Sequence, residues 1–340
     1  MEPLTIGFPP KTLIVFVTLS VLAIFIDLFM HRNNKPISLK SACFWSLFWV
    51  GIAFVFAGFL YLSHGQELAT LFITGYTLEK VLSIDNLFVI MAIFSWFAVP
   101  DNDKLRVLYW GVIGAIIFRA IFVAIGTSLL SLGPWIEFVF AGIVGWTAIM
   151  MLKDKKNQQQ IQDYSQHFAY RLVKRFFPIW PRLKGSAFLL TGNEVKKELK
   201  KPENSDIKID QFRNSAFYAT PLMLCLAVIE LSDVIFAFDS VPAVIAVSRD
   251  PIIIYSAMVF AILGLRTLYF VLEAMKQCLI HLEKSVIALL FFIAIKLALN
   301  ASEHIFHHGY HISGPTSLLI VMVVLMLGII ASFLFPKNSE

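Results

Sequence analysis

The chain has 340 residues, of which 58% are drawn from Ala, Val, Ile, Leu, Met, Phe, Trp, Tyr and Cys and only 15% are charged; its mean hydropathy is +0.75. No water-soluble core of this length can hide that much apolar area, 32 phenylalanines included, so lipid is the main solvent and a soluble globular fold is excluded. The net charge of +5 needs no nucleic-acid partner, because the basic residues are spread along the connections between apolar runs.

In lipid every backbone N–H and C=O must be paired internally, which leaves helices or a closed barrel. The runs are nearly continuous and about 20 residues long, the span of a helix and not of an alternating barrel strand. The expected fold class is therefore an all-α membrane protein with about nine transmembrane helices: 11–30, 41–61, 68–97, 105–130, 134–152, 216–247, 252–274, 285–300 and 314–335. The first run has no basic segment ahead of it and no small-residue cleavage site after it, so it reads as a retained helix and not a signal peptide. Cys43, Cys225 and Cys278 sit in or beside apolar runs, with no disulfide or zinc spacing.

The connections fix an expected orientation, since Lys and Arg are retained on the cytoplasmic side. Of 28 basic residues, 22 fall on one side, two (Lys11 and Arg249) on the other, and Lys80, Arg119, Arg266 and Lys296 lie within helices. The N-terminus is thus expected outside, the C-terminus in the cytoplasm, and the protein in the cell's inner membrane as a multi-pass chain. Three parts follow: 1–152, an N-terminal half of five helices; 153–215, a cytoplasmic or interfacial loop with 14 basic residues; and 216–340, a C-terminal half of four helices. The loop begins KDKKNQQQIQ and continues YRLVKRFFPIWPRLKG, where basic and aromatic residues interleave as in a segment lying against anionic headgroups.

A charge at the bilayer centre costs at least about 2.5–3.5 kcal/mol, so clusters of them demand a reason. The third run contains LEKVLSIDNLFVI, with Glu79, Ser83, Asp85 and Asn86; the sixth contains AVIELSDVIFAFDSVPAVIAV, with Glu230, Ser232, Asp233, Asp239 and Ser240. The segments SIDNLF and LSDVIF resemble each other and are threaded oppositely through the membrane, which is the pattern of an inverted repeat with a site at the midplane. In unbroken helices Glu79 and Asp85 would point about 120° apart, and Glu230 and Asp239 about 180° apart. A break near Gly75 and Pro242 is therefore expected, to turn each pair toward one point. The donors are carboxylate, amide and hydroxyl oxygens without His or Cys, a set suited to a hard divalent ion such as Mn²⁺, Ca²⁺ or Mg²⁺. The competing structural reading pairs the carboxylates with Lys80, Arg119, Arg266 and Lys296 to fix helix register.

At these residues the sequence resembles the TerC family of integral membrane proteins, whose best-understood members are associated with manganese export. The resemblance rests on EKVLSIDN (79–86), GVIGAIIFRAIF (111–122), ATPLMLCLAVIELSDVIFAFDSVPAV (219–244), FAILGLRTLYFVLE (260–273) and FIAIKLAL (292–299). It implies a metal-ion transporter in which Glu79, Asp85, Asn86, Glu230, Asp233 and Asp239 match the acidic motif positions, with Arg119 and Arg266 also matched. The implied substrate is Mn²⁺ or a similar ion, moved out of the cytoplasm by alternating access and exchanged for protons, with no tightly bound cofactor and with protein partners unknown. One departure stands out: Ala257 and Met258 occupy positions where the family usually carries Ser-Asn. Family members are also linked to tellurite resistance and to membrane-protein biogenesis, so a stress-resistance factor or a non-transporting assembly scaffold is the alternative.

Three further features read more plainly. Glu303, His304, His307, His308 and His311 share one helical face in a connection expected outside, where they titrate or capture a softer metal. Asp27 and Glu137 lie near helix ends and are expected at the interface. No G-x-S-x-G, H-E-x-x-H or P-loop pattern appears, so no enzymatic activity is expected.

Overall fold

The computed structural model describes residues 10–30, 38–130, 132–133, 135–153, 168–204, 216–248, 250–275, 282–306 and 312–334. The first five helices follow one another with short connections: α1 (Pro10–Met30), α2 (Leu39–His64), α3 (Gln66–Trp96), α4 (Asp101–Leu130) and α5 (Trp135–Lys153). After the large loop come α8 (Pro221–Ile245), α9 (Pro251–Ile262), α10 (Leu265–Met275), α11 (Leu282–Phe306) and α12 (Gly314–Leu334). Among the described residues, five helices are long and apolar enough to cross a membrane, six if α9 and α10 form one bent span. The protein is an all-α, multi-pass membrane protein. Leu62 (85% exposed) and Leu47 (71%) illustrate its lipid-facing surface, where apolar side chains stand outward because lipid replaces water.

Local chemistry sets the helix starts. Ser38 accepts from the Ser41 N–H to cap α2, and Asp250 accepts from the N–H groups of Ile252 (2.9 Å) and Ile253 (3.2 Å) ahead of Pro251. Helix α8 begins at Pro221 rather than 216, because Thr220 caps it and a residue preceding proline is held extended.

Lipid gives helices no hydrophobic drive to associate, so close packing and polar ties must hold the bundle. Helix α3 is the hub, packed against α2, α8, α9 and α12, while α4 lies on α8 and α5 on α11. Phe56 anchors an aromatic cluster, with ring centroids 5.0 Å from both Phe72 and Phe260, that joins α2, α3 and α9.

The expected helix breaks are corrected. Helices α3 and α8 run unbroken through both acidic segments. Gly75 is a packing position: a Cβ there would lie 3.3 Å from both Ala257 and Val244. Pro242 falls three residues before the end of α8, where the helix needs few further bonds. The break occurs instead between α9 and α10, which meet at 52°. Gly264 takes φ +78° there, and a Cβ on it would come within 2.5 Å of the Trp49 ring, so both backbone and neighbour demand glycine.

Part of the large loop folds as a small unit. Helix α6 (Phe168–Phe176) packs on α8, and β1 (Leu189–Thr191) pairs antiparallel with β2 (Phe217–Ala219) in the register Leu190 to Tyr218. Between them lie α7 (Gly192–Leu199) and a 3-10 turn (Pro202–Asn204). Trp180, Leu190, Val195 and Tyr218 form its core, and Thr191 with Glu194 makes a reciprocal cap on α7. The unit is tied to the start of α8 by Thr220 Oγ1 donating to the Ala187 carbonyl at 2.7 Å.

Candidate functional site

Glu79 on α3 and Asp233 on α8 converge on one guanidinium, that of Arg119 on α4. Arg119 is ion-paired with Glu79 through Nη1, and its Nη2 donates to Asp233 Oδ1 at 3.2 Å. Glu79 and Arg119 are 0% and 1% exposed. Ser83, one turn along α3, donates to Glu79 Oε1 at 3.4 Å. Glu230 stands three residues before Asp233, on the same face of α8, and its carboxylate lies over Gly114 of α4. A Cβ on Gly114 would fall 2.1 Å from each of its oxygens, so any larger residue collides with this carboxylate.

Two carboxylates thus share a single guanidinium in an apolar bundle, with a third, Glu230, one turn of α8 before Asp233. Removing one partner of such a pair costs about 3–5 kcal/mol because the other is left as an uncompensated buried charge. Among the described residues, Glu79 Oε2, Asp233 Oδ2, Glu230 Oε2 and Arg119 Nε are buried with no hydrogen-bond partner from the protein. Buried polar atoms in native proteins are nearly always satisfied, and such exceptions collect where a proton, water or ion is handled.

The other intrahelical cations are engaged elsewhere. Lys80 donates to the carbonyls of Ala261 (2.9 Å) and Leu263 (3.0 Å), closing the end of α9 at the break. Arg266 is ion-paired with Asp27, donates to the Asp27 carbonyl at 2.8 Å and lies 5.6 Å from the centroid of the Tyr109 ring. Asp27, near the end of α1, is 6% exposed, held by a partner 239 residues away in sequence. Lys296 donates to Ser317 Oγ at 2.9 Å. Glu137 is likewise buried, at 5% exposure, and with Glu67, Lys296, Asn300 and Ser248 lines a cavity of about 520 Å³ at the end of the bundle where α8 terminates.

Of the residues expected at a metal site, Glu79 and Asp233 meet through Arg119, Glu230 stands beside Asp233, and Asn86 is buried farther along α3. Asp85 and Asp239 lie on α3 and α8, and their side chains fall outside the described residues, as do the side chain of His304 and all of His307, His308 and His311. Among the described residues, no group of three or more His, Cys, Asp and Glu could hold a metal ion. Ala257 and Met258 are buried at 1% and 0% and offer no side-chain oxygen. Sequence reasoning did not foresee Gly114 as the seat of Glu230, although a glycine five residues before an arginine in an apolar run was the available signal.

The fold and this buried charge cluster define a polytopic helical membrane protein built around ionisable groups contributed by three helices. Residues 64–340 match the family described as "Integral membrane protein TerC family", and the chain belongs to that family. The match begins at the last residue of α2. Among its relatives is a protein of Serratia marcescens named "Tellurium resistance protein TerC", 70% identical over 335 residues that cover 98% of this chain and 97% of that one. An uncharacterized membrane protein of Rickettsia felis is 34% identical, over 94% of this chain and 97% of its own length. A protein of Salmonella typhi, provisionally named membrane-bound redox modulator Alx, is 34% identical over 85% of this chain and 86% of its own length. No solved structure matches.

Proposed function

We propose that this TerC-family protein transports a hard divalent cation, Mn²⁺ or one like it, out of the cytoplasm by alternating access, with protons moving in exchange. The observation that carries the reading is the set of buried, unpartnered carboxylate oxygens that Glu79, Glu230 and Asp233 bring to one place from α3 and α8. Desolvated oxygens of this kind replace the hydration shell of a small dication, and all-oxygen donors favour hard ions over Zn²⁺ or Cu⁺. Asp85, Asn86 and Asp239 lie about 9 Å or more farther along unbroken α3 and α8, so in this reading they join the ion's path at another stage of the cycle. In this reading the chain crosses the inner membrane nine times with the N-terminus outside, and the two acidic helices are the matching arms of an inverted repeat. The cavity beside Glu67 and Glu137 then serves as an outer mouth.

The tellurium-resistance name of the Serratia relative favours a second reading, a stress-resistance factor that moves no metal. Direct passage of tellurite fits the core poorly, since three carboxylates against one guanidinium repel an oxyanion. The test is ⁵⁴Mn uptake into and release from liposomes holding the purified protein, with Ca²⁺, Mg²⁺ and Zn²⁺ as competitors and with and without a pH gradient. Mn²⁺ flux that follows the gradient supports the proposal. Absence of flux from folded, reconstituted protein rejects it in favour of the second reading.

A further inference from the structure

Among the described residues, Arg119 is the one of the four intrahelical cations that touches Glu79 and Asp233; Arg266, Lys80 and Lys296 are bonded to Asp27, to the α9 end carbonyls and to Ser317. Its guanidinium bridges carboxylates of two different helices, in the place where an ion bound between α3 and α8 would sit. A guanidinium that serves as a structural lock, as that of Arg266 does, meets one carboxylate for its one charge. Here two carboxylates share the guanidinium, so negative charge is left over that a cation of higher charge would neutralise better.

We infer that Arg119 is a tethered competitor for the transported dication: it neutralises Glu79 and Asp233 while no ion is bound, and the ion binds by displacing it. This inference rests on the cation-transport reading and adds the regulation of that site. The ion and the guanidinium compete for one place, since the guanidinium already occupies the space between the Glu79 and Asp233 oxygens that an ion held by both would need. Without any cation, the carboxylates repel one another and the empty carrier is destabilised. A tethered guanidinium prevents this by occupying the gap whenever the ion is absent.

The displaced group has somewhere to go. Side chains on a helix lean toward its N-terminus, and Glu230 lies in that direction, over Gly114, about 7–8 Å along α4 from Arg119. That rise is within reach of an arginine side chain, and Glu230 Oε2 is buried without a partner. In the ion-bound state Glu230 then accepts Arg119 and leaves the ion's shell to Glu79, Asp233 and their neighbours.

The full chain in lipid nanodiscs is titrated with Mn²⁺, read by loss of the free-ion electron paramagnetic resonance signal. Arg119→Gln should bind Mn²⁺ about tenfold or more tighter than the unmodified protein, because the competitor is gone, and Arg119→Lys should fall between the two, because an ammonium keeps the charge but cannot bridge both carboxylates as the guanidinium fork does. In Arg119→Ala, millimolar methylguanidinium should refill the gap and weaken Mn²⁺ binding again, while leaving the unmodified protein unaffected. A merely structural arginine would give none of this. Should Arg119→Gln fail to fold, the Arg119→Ala and methylguanidinium arm decides. Unchanged or weaker Mn²⁺ binding in folded Arg119→Gln, with binding still lost in Asp233→Asn, overturns the competitor role and leaves the transport reading standing. No Mn²⁺ binding by the unmodified protein overturns both.

Discussion

Two buried arginines in this protein do different work. Arg266 meets one carboxylate, Asp27, and adds a backbone carbonyl and the face of Tyr109, so cation and anion balance one to one. Arg119 meets Glu79 and Asp233 with Glu230 beside Asp233, so anions outnumber the cation. The balanced pair reads as a clamp joining α1 to α10. The unbalanced one reads as a site where an ion of higher charge can take the guanidinium's place, and burial alone would not have separated the two.

The largest expected effect breaks that comparison at the unbalanced end. Asp233→Asn and Glu79→Gln should reduce Mn²⁺ flux in liposomes by more than about 100-fold, since losing even an outer-shell partner costs about 10–100-fold. Asp27→Asn should leave flux per folded molecule near normal but lower stability by about 3–5 kcal/mol, seen as an earlier thermal unfolding transition, because Arg266 stays buried without its counter-charge. Equal flux loss in Asp27→Asn would erase the distinction.

Gly114→Ala sharpens the same point with one methyl group. Its Cβ would meet the Glu230 carboxylate, so the carboxylate must move; a flux loss of about tenfold is expected, with about 1–3 kcal/mol of destabilisation. Gly264→Ala should cost a similar 1–3 kcal/mol or so through its positive φ and the Trp49 ring, by straightening the α9–α10 bend. Thermal melts of the two variants beside flux assays check both.

The smallest effect lies outside the bundle. The Thr191 backbone N–H, then its hydroxyl, bonds the Glu194 carboxylate and holds its pKa below the usual carboxylate value. A lowered folded-state pKa contributes stability that is full above the unfolded value, about 4.3, and is lost as pH falls through the folded one. Amide exchange in β1 and α7 should therefore quicken below about pH 4, and Thr191→Ala should show quicker exchange at neutral pH with less further change on acidification.

The apolar runs placed most helices to within a few residues, and the acidic residues of α3 and α8 drew attention because lipid makes their cost plain. What sequence could not supply was pairing in space. Nothing local joins Asp27 to Arg266 or aims Arg119 at Asp233, 114 residues away. The helix break was sought at Gly75 and Pro242, where breakers stood beside the carboxylates; it lies at Gly264, whose need for a positive φ depends on Trp49 of another helix. The Thr191-x-x-Glu194 cap was readable from its spacing, but the strand pair around it depends on residues 217–219, beyond a long connection.

The central claim is that a dication takes the place of the Arg119 guanidinium between α3 and α8. Anomalous scattering at the manganese edge from crystals grown in saturating Mn²⁺ tests it directly. The account predicts a manganese peak about 2.0–2.6 Å from carboxylate oxygens of Glu79 and Asp233, with Arg119 turned toward Glu230. A core without manganese, its guanidinium still seated between those two carboxylates at saturating ion, would contradict it.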